Sequence, residues 1–126
     1  MKFTTEEIAL CKAIAEKGLN KTAREIDEGD WYVEKDGLEP SLYVAGISGY
    51  DYDEDVFVWQ ISDCLEFLRE KGWRSYQFTF NEKGEIRELS IVHIPFGFRT
   101  KHHVVINGET FLEACLKAVL AILEES

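Results

Sequence analysis

Apolar residues recur every three to four positions in three stretches of this chain and alternate with polar ones in the segments between them. Thr4 and Glu7 have the spacing of a capping box, in which a hydroxyl and a carboxylate each take one of the unpaired N–H groups at a helix start. Ile8, Cys11, Ile14 and Ala15 follow at helical intervals, and Gly18 stops the pattern, which predicts a helix over residues 5–17. Leu19 to Asp27 reads as a second, short helix with Ala23 and Ile26 inward. Trp31–Glu34 and Leu42–Ala45 read as a hairpin pair around Lys35-Asp36-Gly37, and the Gly- and Asp-rich residues 46–55 as a loop. Val56-Phe57-Val58-Trp59 leads into a helix with Ile61, Leu65 and Leu68 on one face, Ser62 as its N-cap and Gly72 at its end. A β-meander follows, with strands over 73–80, 86–94 and 98–106, a turn at Asn81-Glu82-Lys83-Gly84 and a break at Pro95-Phe96-Gly97. Thr110 and Glu113 form a second capping box, ahead of a stripe of Phe111, Cys115, Ala118, Val119 and Ile122.

The order is helix, strands, helix, three-strand meander, helix. In the middle meander strand, Leu89, Ile91 and His93 point one way, while Val92 and Ile94 point the other. Apolar residues on both faces imply cover on both sides. The expectation is a single α+β domain, an antiparallel sheet with helices on both faces, or α/β/α sandwich. At 126 residues and 45% hydrophobic, the chain needs no metal or disulfide staple to close a core. Residues 1–28 are expected to form an N-terminal helical segment serving oligomerisation, and residues 29–126 the sandwich. A helix, a glycine and a short helix also outline a helix-turn-helix. A DNA reader wants basic residues there, and Glu25, Asp27, Glu28 and Asp30 oppose it, so no direct DNA binding is expected.

Charge sharpens this picture. The formal net charge is -10, and residues 1–56 carry 14 acidic against 6 basic side chains, a net of -8. Such a half repels nucleic acid and anionic membranes. Cys11, Cys64 and Cys115 are odd in number and lie beside apolar residues in helical segments, the setting of buried free thiols. The first residues lack the apolar core of a signal peptide, and no run is long enough to span a membrane. The expected location is therefore the cytoplasm, of a host cell if the protein is viral.

Trp59, Asp63, Leu65, Leu68, Gly72-Trp73, the meander around Gly84 and Glu109 to Ala114 opening the last helix are similar to small phage and prophage proteins of the ABA-sandwich type. The resemblance covers roughly residues 29–124. It implies a phage setting. Some phage proteins of this size and layout, the anti-Thoeris sponge proteins among them, sequester nucleotide-derived immune signals. None of their ligand-binding residues maps onto this chain, so candidate residues come from local chemistry.

Phe96-Gly97-Phe98-Arg99-Thr100-Lys101-His102-His103 is a basic and aromatic island in an acidic protein. On a regular strand Arg99, Lys101 and His103 share one face, where three donors can surround a phosphate. Arg74, Tyr76, Phe78 and Phe80 share a face of the first meander strand, with Tyr76 a ring on which a base can stack. The other reading of the island is a charged edge strand. Asp51-Tyr52-Asp53-Glu54-Asp55 carries oxygen ligands at alternate positions, but Val56 and Ser62 stand where a calcium loop needs Gly and Glu. His93, His102 and His103 lack the paired spacing of a zinc site, and no metal or cofactor is expected. The leading expectation is a non-enzymatic, oligomeric anti-defence protein, a dimer or a multiple of one, that captures a small anionic nucleotide-like ligand. Two others stand beside it. One is an acidic inhibitor that mimics nucleic acid for a host defence protein. The other is a structural or housekeeping phage protein.

Overall fold

The computed structural model describes residues 3–80, 87–93 and 102–124, and much of the chain between 74 and 104 by backbone and register only. The protein is α+β, with three helices and two antiparallel sheets of three strands each. Two compact units divide it, Met1–Trp59 and Gln60–Ser126. The expected boundary after residue 28 falls inside the first unit. Where one sheet was expected, each unit builds its own.

The first unit opens with helix α1, Thr5–Glu16. The capping box forms as its spacing predicts. Glu7 N–H donates to Thr4 Oγ1 at 3.1 Å, and Thr4 N–H donates to Glu7 Oε1 at 2.7 Å. At the other end Gly18 takes φ +92°, which a side chain resists. Its N–H donates to Ala15 O at 2.9 Å, and Leu19 N–H to Ile14 O at 3.4 Å, the paired bonds that end a helix on a left-handed residue. The second short helix expected over Leu19–Asp27 is absent. Only one turn forms, with Glu25 and Ile26 N–H donating to Thr22 O. Glu25 Oε1 accepts the Thr22 N–H at 3.0 Å, half of a capping box, but no further helical turn follows.

Strands β1 (Trp31–Glu34), β2 (Ser41–Leu42) and β3 (Asp55–Val58) form an antiparallel sheet in the order β2-β1-β3. Trp31 pairs with Leu42 on one side and Val58 on the other. All four residues of β3 are buried, and α1 packs against this strand. Ile8, Cys11 and Ile14 meet Val33, Val56 and Val58 in a core whose members are at most 2% exposed. Burying a side chain of this kind is worth roughly 1.5–3 kcal/mol.

The second unit holds α2 (Ile61–Glu70), β4 (Trp73–Phe80), β5 (Arg87–His93), β6 (His102–Gly108) and α3 (Phe111–Glu124). The meander pairs in the order β4-β5-β6 as expected, with α2 against β4 and α3 against β5 and β6. Helix α2 begins earlier than expected. Its cap is Gln60, not Ser62, and Gln60 N–H donates to Asp63 Oδ2 at 2.9 Å. Helix α3 starts where Thr110 Oγ1 accepts the Glu113 N–H at 3.0 Å. Its buried face is broader than the predicted stripe, taking in Leu112, Ala114 and Leu116 as well as Cys115, Ala118 and Val119. Among the described residues, no helix is long and apolar enough to cross a membrane.

Candidate functional site

The two strands of the basic candidate, β4 and β6, are the outer strands of their sheet and flank β5. Arg74 pairs with Val92, and Val92 with His103, so Arg74 and His103 occupy one cross-strand row. The next row is Trp73, His93 and His102. Successive rows alternate between the two faces of a sheet, so Arg74 shares its face with His103, whereas His93 and His102 belong to the other. Strands lie about 4.8 Å apart, which puts the outer members of a row about 10 Å apart at the backbone.

Two parts of the sequence reading change. Between Arg74 and Gln77 the register shifts, because three residue steps of β4 face two steps of β5. This extra residue is a β-bulge and reverses parity beyond it. Arg74 therefore lies in the row of Val92, whereas Phe78 lies in the row of Leu89 and Ile106, so the expected common face of Arg74, Tyr76, Phe78 and Phe80 is broken. Tyr76 falls within the irregular stretch. The third meander strand is described from His102 onward, so Arg99 and Lys101 lie outside the described residues.

The acidic loop is organised by its own hydrogen bonds. Asp51 N–H donates to Asp55 Oδ2 at 2.8 Å, Asp53 N–H to Asp51 Oδ1 at 3.0 Å, and Asp55 N–H to Asp51 O at 2.7 Å. Asp55 is buried, while Asp51, Asp53 and Glu54 are exposed. Asp55 is thus a structural cap, and only the other three present charge to a partner. Among the described residues, no group of three or more His, Cys, Asp or Glu is arranged to hold a metal ion.

The three cysteines are buried and form no disulfide, as their apolar settings predict. Burial pushes the Cys115 thiol up from 9.0 to about 12, far from the thiolate a nucleophile needs at neutral pH. Cys11 has a second role that its spacing did not reveal. Its Sγ accepts the Trp59 N–H at 3.4 Å.

Asn20 is the polar residue that sequence reading missed. Its Nδ2 donates to Asp55 O at 3.0 Å, and its Oδ1 accepts the Phe57 N–H at 2.8 Å. These backbone groups lie on the side of β3 away from β1, where a further strand would bond. The side-chain amide takes that strand's place. Tyr50 braces it, donating to Lys21 O at 2.5 Å with Asn20 Oδ1 3.3 Å away. Burial pushes the Tyr50 phenol up from 10.0 to about 12. Lys21 lies 4.3 Å from the centre of the Phe57 ring and pairs with Asp30 at 3.1 Å.

Beside this seal lies a cleft of about 390 Å³ in the first unit. Lys12, Glu16, Lys35, Asp36 and Tyr52 line it over a floor of Ala15 and Val56. Lys12 Nζ donates to Gly37 O and ties α1 to the turn after β1. No protein-family model, curated protein or solved structure matches the chain at a significant level.

Proposed function

We propose that the protein is a non-enzymatic binder that sequesters a small anionic, nucleotide-like ligand. In the phage setting that the sequence resemblance implies, it acts as an anti-defence protein and assembles as a dimer or a multiple of one. The observation that supports this reading is that Arg74 and His103 share one cross-strand row of the second sheet, with the row of Trp73, His93 and His102 next to it on the alternate face. A guanidinium grips a phosphate through two parallel N–H bonds, and imidazoles add donors that charge near neutrality. Arg99 and Lys101 stand close by in sequence and complete the cationic set.

Calorimetry against nucleoside phosphates and cyclic nucleotides tests the proposal. Saturable binding is expected, and Arg74→Ala should weaken it tenfold or more, since a hydrogen bond to a charged group is worth about 1.5–3 kcal/mol. Lys83→Ala, between β4 and β5 in sequence, should leave it unchanged. Absence of saturable binding across the panel would reject the reading. A second reading rests on the exposed Asp51, Asp53 and Glu54 in an acidic half, which suits a basic host protein. Its mark is a protein complex that weakens with salt and with Asp53→Asn, and no affinity for nucleotides.

A further inference from the structure

The cleft in the first unit carries two cations and two anions. Lys12 and Lys35 line it with Glu16 and Asp36, yet none of the four is in an ion pair among the described residues. The two ion pairs there are Lys21 with Asp30 and Lys117 with Glu113. Opposite charges that share a concavity without neutralising each other suit a ligand that also carries both signs. Lys12 is held by the Gly37 carbonyl, and an ammonium has three protons, so two remain for a ligand. Asn20, although it lines the cleft, spends its amide on β3 and is not a recognition group. Val56 is 2% exposed and gives a firm apolar floor, while Tyr52 is 42% exposed at the rim. A volume of about 390 Å³ lies at the small end of the range for ligand pockets, roughly 300–1,000 Å³.

We infer that this cleft is a second binding site, for a small zwitterion of the amino-acid or dipeptide class. The carboxylate goes to Lys12 and Lys35, the ammonium to Glu16 and Asp36, and the apolar side chain to Val56 and Tyr52. Nucleotides are disfavoured there, because Glu16 and Asp36 repel phosphate. The site is independent of the basic rows on the second sheet.

Calorimetry with the full chain tests it, using glycyl-phenylalanine, its N-acetyl derivative and its C-terminal amide. The free dipeptide should bind saturably at millimolar concentration or below, and each blocked form at least tenfold more weakly. Lys35→Ala should weaken the free dipeptide about tenfold and leave the amide unchanged. Asp36→Asn should weaken the free dipeptide and leave the acetyl form unchanged. Both residues are exposed, so unchanged melting by circular dichroism will show that the fold is kept. Equal binding of the three forms, no saturable binding of the free dipeptide, or indifference to both substitutions would overturn the inference. Nucleotide affinity should be untouched by either variant, which separates this test from that of the basic rows.

Discussion

Asn20 illustrates how one side chain can decide an element it does not belong to. Its amide satisfies Asp55 O and Phe57 N–H, both on a strand whose residues are buried. Removing it leaves a buried N–H unpaired, which costs about 1–3 kcal/mol, besides the bonds lost. Asn20→Ala should therefore lower unfolding stability by about 2–3 kcal/mol in urea denaturation at neutral pH. Asn20→Asp should not rescue it, because a carboxylate accepts from Phe57 but has no proton for Asp55 O. Nothing in the sequence marks this residue. It sits 35 and 37 positions from its partners, and an asparagine after Gly18-Leu19 reads as an ordinary turn or helix residue. Cys11 was legible as buried, since its place on the apolar stripe sets burial, but its bond to Trp59 depends on tertiary geometry.

Element by element, what was legible was local. Thr4 with Glu7 and Thr110 with Glu113 named two helix starts, because capping chemistry acts within one turn. The helix expected at 19–27 shrinks to a single turn at Thr22–Ile26, although Thr22 and Glu25 make half of the same capping pair. The bulge in β4 was illegible, since a register shift is set by pairing with β5 rather than by any residue in Trp73–Phe80. That shift matters most for the candidate site, because it determines which residues share the row of Arg74. The junction between β6 and α3 makes a sharp test. A Cβ at Gly108 would lie 2.7 Å from Ala114 N and 3.1 Å from Thr110 O, both backbone atoms that cannot step aside. Gly108→Ala should cost about 1–3 kcal/mol, the range for forced overpacking, and should lower the thermal midpoint. A variant as stable as the parent would show that α3 can shift away from the strand end.

Across the whole molecule, the described residues of each unit include a group that resists losing its proton. Burial raises Tyr50 in the first unit and Cys115 in the second, each to about 12. Both hold a proton more tightly when folded, so their stabilisation is complete below the ordinary values, 10.0 and 9.0, and is lost as pH rises toward 12. Stability should therefore fall from about pH 9 upward. Tyr50→Phe should flatten the part of that fall between 10 and 12, measured by urea denaturation across the range. The seal on β3 has a consequence of a different kind. An open strand edge is a template on which identical chains stack, layer after layer. A lesion at Asn20 would thus bare such an edge and make each chain a seed for the next, and the loss would grow with concentration rather than with temperature alone.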